Sequence, residues 1–309
     1  MEQRQLGSSN LLVSLVGLGT NNFGGRIDLE ASRKVIHAAL DQGVTHFDTA
    51  DIYGGGGGSE TVIGQVLGDR RKEVVLATKF GKPMANNPSN HRGTRAYIRS
   101  AVEASLKRLQ TDHIDLLFMH EPDSSTPIKE TLTALAELTK EGKIRHAAAS
   151  NYSAAEIDAA SAAAKALGVE GFIASQDEYS LTFRDHENTL FPALKKNGLS
   201  LVPYFPLGGG ALTGKYRKGA PLPAGARHKN ADNRFLDPHW DTIEALHDFA
   251  AKRGKSLIEL AMSWLARRPL VASIIAGATK PEQVAVNAKA ADWKLSPAEM
   301  AEIDRITAK

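Results

Sequence analysis

Four polar side chains that follow apolar, strand-like segments could together donate a proton to a carbonyl oxygen. Asp48 and Tyr53 lie five residues apart in the stretch 47–54, Lys79 follows Val-Val-Leu-Ala-Thr, and His120 follows Leu-Leu-Phe-Met. Barrel enzymes place their catalytic groups at the carboxyl ends of the strands. We therefore expect these four side chains to meet at one end of a barrel.

The four residue types fit one reaction. An ammonium inside a barrel mouth needs an anionic partner, and Asp48 is the natural partner of Lys79. A buried ammonium beside Tyr53 favours the phenolate and can lower the tyrosine pKa from ~10 by roughly 1–3 units. His120 can orient or polarise a carbonyl while the Tyr53 hydroxyl gives up its proton. No nucleophilic side chain accompanies the group, so we expect a bound cofactor to deliver a hydride.

Each residue alone also has a purely structural interpretation. Asp48 could hold a turn, Tyr53 could pack on the barrel, and Lys79 could be a solvated strand end. His120 could be a core histidine or a metal ligand. The first strand carries no His-x-His pair, and His46 is the only other histidine near a strand end, so a metal-dependent hydrolase lacks ligands. We expect no metal site.

The elements that must position these residues alternate between strand-like and helical patterns. After a hairpin turn over 6–11, strands are predicted at 13–18, 45–47, 73–77, 114–119, 144–149, 171–175, 199–203 and 271–275. Between and after them, helices are predicted around 35–40 and 98–109 and over 59–67, 128–139, 154–167, 186–196, 240–252, 257–267, 281–290 and from 296. This alternation predicts an α/β fold, a (β/α)8 TIM barrel with an N-terminal β-hairpin and extra C-terminal helices, as one domain over 1–309.

Composition excludes several classes of partner. The 38 basic and 35 acidic residues are interspersed, so no nucleic-acid arm or basic membrane patch is expected. The chain has no cysteine, which excludes disulfides. The N-terminus lacks the apolar stretch of a signal peptide, and the apolar runs are too short to span a membrane. We expect a cytoplasmic protein that acts on a small molecule.

Three glycine-rich segments do not form nucleotide motifs. The segment 17–22 has Asn22 where a dinucleotide fingerprint needs its third glycine, and 209–215 has P-loop spacing but is followed by Tyr216 instead of Ser or Thr. The run 54–58 is interpreted as a mobile loop at the barrel mouth. The long segment 205–238 lacks periodicity and is predicted to be a functional loop.

Taken together, these residues resemble the aldo-keto reductase superfamily over nearly the whole chain. The stretch Asp48-Thr49-Ala50-Asp51-Ile52-Tyr53-Gly54, with Thr78-Lys79 and His120, is similar to its catalytic tetrad. The resemblance implies that Ser150, Asn151 and Gln176 bind a nicotinamide carboxamide and that Tyr204 stacks on the nicotinamide ring. The full implied cofactor set is Gly19, Thr20, Asn21, Asp48, Ser150, Asn151, Gln176, Tyr204, Phe205, Pro206, Leu207, Gly208, Lys215, Gly277, Thr279, Lys280, Gln283 and Asn287. Lys280 at a helix start suits a 2′-phosphate, which favours NADPH over NADH.

Three positions depart from the family pattern. Phe205 stands where the family often has Ser, Val286 where it often has Glu, and Asn21 where it often has Trp. The first two bear on cofactor affinity and the third on the polarity of the substrate pocket. None of them concerns the type of reaction.

The resemblance leaves two functional hypotheses. The first is an NADPH-dependent reductase that converts an aldehyde or ketone to an alcohol with Tyr53 as general acid. The second is a nicotinamide-binding regulatory subunit with little turnover, because within the superfamily the chain is most similar to bacterial reductases related to potassium-channel β subunits. The sequence leaves the substrate undefined and a homo-oligomer open.

Overall fold

The computed structural model describes residues 1–84, 91–223 and 233–308. The chain opens with an antiparallel hairpin of β1 (Gln3–Gln5) and β2 (Leu12–Ser14). Its buried Leu6, Leu11 and Val13 pack with the side chains that fill the barrel. Arg4 donates to the carbonyls of Val271 and Ala266 at 2.7 and 2.8 Å. The hairpin therefore closes the end of the barrel at which the strands begin.

Eight parallel strands follow and form the barrel predicted from the alternation. They are β3 (Val16–Gly19), β4 (His46–Asp48), β5 (Val75–Phe80), β6 (Ile114–Met119), β7 (Ile144–Ser150), β8 (Ala174–Gln176), β9 (Ser200–Leu201) and β10 (Ile274–Gly277). From β3 to β9 each strand pairs with the next in chain order, and β10 pairs with β3. The Ala272 amide donates to Leu201 O at 2.9 Å, and the Ile275 amide donates to Pro203 O at 3.0 Å. These hydrogen bonds join the chain at β9 to the chain at β10 and close the ring.

Helices connect the strands, and the longer ones cover the outside of this ring. They are α1 (Leu29–Asp41), α2 (Tyr53–Gly56), α3 (Gly58–Leu67), α4 (Arg95–Leu109), α5 (Ile128–Lys140), α6 (Ala154–Leu167), α7 (His186–Thr189), α8 (Phe191–Lys196), α9 (Trp240–Ala251), α10 (Leu257–Ala266), α11 (Pro281–Ala290) and α12 (Pro297–Ile306). Short 3₁₀ turns occupy Gly68–Glu73, Gly208–Thr213 and Asp237–His239. No helix among the described residues is long and apolar enough to cross a membrane.

Alternation along the strands divides the apolar side chains into two cores. In β6, Leu116 and Phe118 belong to the inner core of the barrel, whereas Leu117 and Met119 belong to the core beneath the helices. Successive side chains of a strand point to opposite faces, so the residue after Met119 points inward again. That residue is His120. In the other strands too, the residue two positions after an inner-core residue points inward near the mouth of the barrel.

Several element bounds differ from the predictions. The predicted strand 13–18 is two strands, because Leu15 separates the hairpin strand β2 from the barrel strand β3. The strand predicted at 73–77 is β5, which starts at Val75 and ends at Phe80. The strand predicted at 271–275 is β10, which starts at Ile274. Pairing with neighbouring strands sets these limits, and such long-range contacts are invisible to a local apolar pattern.

The predicted helix 186–196 is broken into α7 and α8 at Leu190. Pro192 lies in the first turn of α8, where its missing N–H costs no intrahelical hydrogen bond. The final helix begins as its sequence predicted. Ser296 Oγ accepts from the Glu299 amide at 3.2 Å, and Glu299 Oε2 accepts from the Ser296 amide at 2.8 Å.

The glycine run is packed more closely than a mobile loop. Gly54 has φ of 65° and Gly57 has φ of 98°, a region that glycine adopts without strain. A Cβ added at Gly54 would lie 2.6 Å from Phe23 O, and one at Gly57 would lie 2.4 Å from the Arg108 side chain. The run therefore forms the turn α2 and the start of α3. Of the predicted loop 205–238, residues 224–232 lie outside the described part of the chain.

Candidate active site

Asp48 and Lys79 form a buried ion pair at the carboxyl ends of β4 and β5. Lys79 Nζ lies 2.7 Å from each Asp48 carboxylate oxygen and donates to Thr49 O at 2.8 Å. The side chain of Lys79 is fully buried. Burial alone would lower its pKa, but Asp48 and Tyr53 outweigh burial and raise the pKa. Lys79 therefore stays charged, as the sequence predicted.

Gln176 is a further partner of this pair. Its Nε2 donates to Asp48 Oδ1 at 2.8 Å across the barrel from the end of β8. The position follows from the strand pattern, because Ala174 lies in the inner core and Gln176 is two residues on. A residue implied to bind cofactor thus also helps to fix Asp48.

Tyr53 lies beside Lys79 and His120. Lys79 Nζ is 5.1 Å from the Tyr53 ring centroid, and the Tyr53 and His120 rings meet edge to face with centroids 6.0 Å apart. The sequence predicts that Lys79 lowers the tyrosine pKa. Lys79 acts in that direction, but burial is the larger effect and the pKa of Tyr53 is raised. Tyr53 is therefore protonated at neutral pH and can act as a proton donor.

His120 is a buried, neutral imidazole. Burial, followed by the charges of Lys79 and Lys82, lowers the pKa of His120 to about 2. Its backbone is fixed on both sides, because its amide donates to Phe80 O at 2.8 Å and its carbonyl accepts from Asn151 Nδ2 at 2.9 Å. The ring Nδ1 has no hydrogen-bond partner among the described residues. A neutral ring beside Tyr53 can contact a polar substrate atom without adding charge.

The ends of β7, β8 and β9 bring together the residues implied to bind nicotinamide. Tyr204 Oη donates to Asn151 Oδ1 at 2.9 Å, and Asn151 Nδ2 also lies 3.0 Å from Ser150 Oγ. Asn151 is exposed and Tyr204 is half-buried, so both present surface to the mouth of the barrel. Ser150 is buried and donates to Gln176 O at 2.8 Å.

Asp177 holds Asn151 in place, a role that the sequence pattern did not indicate. Asn151 has φ of 61°, which asparagine adopts more readily than most residues. Asp177 Oδ1 accepts from the Asn151 amide at 3.1 Å, and Ser175 Oγ donates to Asp177 Oδ2 at 2.5 Å. Burial raises the pKa of Asp177 to about 6 in spite of these bonds. An acidic residue that directly follows a strand-end glutamine is the only signal that the sequence offered.

The remaining members of the implied cofactor set follow the carboxyl ends of β3, β9 and β10 along the chain or lie on α11. They are Gly19, Thr20 and Asn21 after β3, Phe205, Pro206, Leu207, Gly208 and Lys215 after β9, and Gly277, Thr279, Lys280, Gln283 and Asn287 from β10 into α11.

Asn21, which follows β3, lies beside the end of β10, where the chain leads into α11. A Cβ added at Gly277 would lie 3.8 Å from Asn21 Oδ1. The Thr279 amide donates to Gln283 Oε1 at 2.7 Å, and Lys280 is the exposed N-cap residue of α11. A helix N-terminus with an adjacent exposed lysine suits an anion.

Phe205, a departure from the family pattern, is part of an aromatic contact. Its φ of 52° is uncommon outside glycine, and its ring packs edge to face on Phe235 at 5.5 Å. The Arg234 guanidinium lies 4.1 Å from the Phe235 ring and pairs with Glu178 at 3.1 Å. The segment 233–236 thus packs on the start of the loop after β9. The sequence indicated only that this loop would be functional.

A second buried network supports β5 from the outside, and the sequence pattern did not indicate it either. Glu60 of α3 is fully buried, accepts from Thr78 Oγ1 at 2.5 Å and pairs with Arg108 Nε of α4 at 2.6 Å. Thr78 directly precedes Lys79.

Among the described residues, no group of three or more His, Asp or Glu side chains could hold a metal ion.

Comparison with known proteins finds related sequences over almost the whole chain. A model of the Aldo/keto reductase family matches residues 15–308. A probable voltage-gated potassium channel subunit beta of Arabidopsis thaliana is 37% identical over 305 residues, which covers 94% of this chain and 92% of that protein. The L-glyceraldehyde 3-phosphate reductase of Escherichia coli (strain K12) is 32% identical, with 99% and 92% covered. The aldo-keto reductase YhdN of Bacillus subtilis (strain 168) is 35% identical, with 99% and 93% covered.

Proposed function

The chain belongs to the aldo/keto reductase family, and from that premise we propose that it reduces an aldehyde or ketone to the alcohol, with NADPH as hydride donor and Tyr53 as general acid. It is an oxidoreductase of a family that generally binds NAD(P)H. The observation that carries the proposal is the contact of four groups at one mouth, namely the Asp48–Lys79 pair, Tyr53 and His120.

The four side chains divide the work of a carbonyl reduction. Asp48 holds Lys79 charged, and Lys79 opposes the effect of burial on the Tyr53 pKa. Tyr53 is protonated and gives its proton to the carbonyl oxygen as that oxygen gains electron density. The neutral ring of His120 contacts the same oxygen and orients it. When bound, the dinucleotide supplies the hydride that the carbonyl carbon receives.

Side chains around the mouth fit a nicotinamide dinucleotide. The exposed amide of Asn151 and the half-buried ring of Tyr204 lie beside the catalytic group, where a carboxamide and a flat ring could bind. Lys280 at the start of α11 adds a cation to the positive end of that helix. This charge supports our preference for NADPH over NADH.

Replacing Tyr53 by Phe tests both the reaction and the acid. We expect wild-type protein to oxidise NADPH with members of an aldehyde and ketone panel, and Tyr53→Phe to turn over about 10²–10⁴-fold more slowly. The panel should contain L-glyceraldehyde 3-phosphate, which appears in the name of one relative. Binding of NADPH, followed by fluorescence, should survive the substitution.

Tyr152→Phe is the matched control. Among the described residues this buried hydroxyl has one recorded acceptor, the weak acceptor Met119 Sδ at 2.9 Å, so its loss should leave turnover within about threefold of wild type. Full turnover by Tyr53→Phe would refute the proposed acid. Equal losses in the two variants would mean that the effect is structural.

The second candidate is a regulatory nicotinamide-binding subunit, because relatives at 37% and 36% identity are named as potassium channel β subunits. It predicts tight NADPH binding, no turnover across the panel and a stable complex with a membrane protein. The same panel separates the two candidates, since substantial turnover by wild type favours the enzyme.

A further inference from the structure

Asp51 is a buried acid that the proposed reaction does not use. It lies between Asp48 and Tyr53 in the sequence, and only 1% of its surface is exposed. Neither carboxylate oxygen has a hydrogen-bond partner among the described residues. Buried carboxylates are normally paired or hydrogen-bonded, so an unpartnered one requires an explanation.

The simplest structural role for Asp51 is not supported by its geometry. An aspartate in a tight turn usually stabilises the turn by accepting from a backbone amide. The Ile52 amide is close enough to favour the carboxylate slightly, yet it makes no hydrogen bond of normal geometry. The backbone fixes the turn instead, because the Asp51 amide donates to Lys79 O at 3.1 Å and the Tyr53 amide to Ala50 O at 3.1 Å.

Charged and titratable groups from each neighbouring element act on the Asp51 carboxyl. They are Tyr53 at the start of α2, Glu60 of α3, Lys79 of β5, and Arg108 and Tyr97 of α4. Burial and then Glu60 raise the pKa of Asp51 to about 7, against the smaller effects of Arg108 and Lys79. Arg108 and Lys79 are already paired with Glu60 and Asp48, respectively.

The hydroxyl of Tyr97 shares this environment. It is buried on α4, with 7% of the residue exposed, and it has no hydrogen-bond partner among the described residues. Burial, and then a negative charge on Asp51, raises the pKa of Tyr97. Within the described part of the chain, this neighbourhood thus holds two polar groups without a hydrogen-bond partner, Asp51 and Tyr97, and Asp51 lies two residues before Tyr53.

We propose that Asp51 is a positioning residue that adjusts the acid strength of Tyr53. When Asp51 is a neutral carboxylic acid, Asp48 and Lys79 are the charges that set the electrostatic potential at the tyrosine. As a carboxylate, having lost its proton to solvent, it adds a second negative charge beside them. The Tyr53 hydroxyl then holds its proton more tightly and transfers it to the carbonyl oxygen more slowly.

The sign of the effect follows from the charges. A negative Asp51 raises the pKa of Tyr53, whereas the Lys79 cation lowers it. Because the pKa of Asp51 is about 7, the carboxylate forms as the pH rises through neutrality. Carbonyl reduction should therefore slow over that interval. This inference rests on the proposed function, in which Tyr53 is the proton donor.

Asp51→Asn is the first test, because asparagine keeps the shape and cannot ionise. We measure kcat for the best carbonyl substrate from pH about 6 to about 9 in both proteins, and we expect the ratio of variant to wild type to rise with pH by about threefold or more. A ratio that stays constant with pH would overturn the proposal. A general loss of packing would lower kcat at every pH and leave the ratio flat.

Glu60→Gln supplies a second signature. Removing the charge of Glu60 takes away the second-largest effect that raises the pKa of Asp51. The fall in kcat at alkaline pH should therefore occur at lower pH in Glu60→Gln than in wild type. A merely structural role for Asp51 gives no reason for the fall to move. An unmoved or upward-shifted fall in a folded Glu60→Gln protein would contradict the proposal.

Two measurements without turnover separate this inference from the proposed function. Carboxyl carbon NMR of wild-type protein, with assignment through the backbone, reports the titration of Asp51 directly, and a normal acidic midpoint would overturn the inference even if no variant folds. Ultraviolet difference titration of each protein against its Tyr53→Phe counterpart isolates Tyr53, which should ionise at lower pH in Asp51→Asn. If that shift occurs while wild type has no reductase activity, the proposed function fails and the coupling of Asp51 to Tyr53 stands.

Discussion

The mouth of the barrel has two halves that differ in how deeply their charged and polar side chains are buried. In the catalytic half, at the ends of β4 to β6, Lys79, Asp48 and His120 expose 0%, 3% and 6% of their surface. In the cofactor half, from the end of β7 to the start of α11, Asn151 and Lys280 are exposed. The charged groups that would act on the carbonyl are already paired and fixed, while groups that could bind a dinucleotide remain accessible.

This difference in burial indicates how each half would respond to substitution. Preorganised charges inside a site from which water is excluded stabilise a transition state without rearranging during the reaction. Burying those charges costs free energy that only an exact partner offsets. The catalytic half should therefore respond to substitution through stability and rate together, and the cofactor half mainly through affinity.

Removing the Lys79 cation should have the largest effect. Lys79→Met leaves Asp48 as a buried carboxylate without its ion-pair partner, which typically costs about 3–5 kcal/mol of unfolding free energy. Turnover should also be lost, because the cation beside Tyr53 is gone. Urea unfolding at neutral pH measures the first effect and NADPH oxidation measures the second.

Lys218→Met is the matched control. Lys218 Nζ pairs with Asp241 at 2.6 Å, but both side chains are largely exposed, so its loss should change the unfolding free energy by no more than about 1 kcal/mol. The double variant Lys79→Met/Asp48→Asn should recover part of the lost stability, because it removes the unpaired charge. Equal small losses at Lys79 and Lys218 would contradict the distinction between buried and exposed pairs.

Much of the catalytic half could be predicted because it depends on strand parity. Lys79 and His120 each follow an inner-core residue, Ala77 and Phe118, by two positions, and a local pattern is enough to place them. The family assignment and the (β/α)8 architecture followed from motifs and alternation that also lie along the chain, and both are confirmed.

What could not be predicted depends on contacts between distant segments. Glu60 looked like an ordinary acidic residue near the start of a helix, and only the packing of α3 on α4 shows it bonded to Arg108. The raised pKa of Tyr53 depends on how far the surrounding fold shields its hydroxyl from water, which spacing does not reveal. The implied roles of the cofactor residues remain predictions.

Histidine burial beneath the catalytic half should appear in the pH dependence of stability. His46 of β4 is fully buried with Nδ1 2.9 Å from Ser273 Oγ, and burial lowers its pKa from 6.5 to about 4. The unfolded chain then binds a proton near pH 6.5 that the folded protein does not bind until about pH 4. Stability is therefore lost as the pH falls through this window, and none of that loss occurs above it.

His46→Gln should remove this dependence. In wild type the residue contributes a slope of about 1.4 kcal/mol per pH unit below its unfolded pKa, which amounts to roughly 2–3 kcal/mol by pH ~4. Urea unfolding at several pH values between these limits should give a shallower slope for the variant. His120, also neutral through burial, contributes to the slope in both proteins and cancels in the difference. Parallel curves would mean that His46 is protonated in the folded protein.

The smallest effect is expected at Lys280 in the cofactor half. Its exposed ammonium begins α11, so a 2′-phosphate bound there would gain one ionic contact in water. Such a contact is worth about 1 kcal/mol, so Lys280→Met should raise the Kd for NADPH about five- to tenfold, with less effect at high salt. The Kd for NADH, which lacks that phosphate, should hardly change, and the unfolding free energy should stay within about 0.5 kcal/mol. Lys289→Met, an exposed lysine near the other end of the same helix, is the control and should leave both affinities unchanged. An equal loss for both dinucleotides would place Lys280 away from the 2′-phosphate, whereas a large loss of stability would show that the cofactor half is as dependent on its charges as the catalytic half.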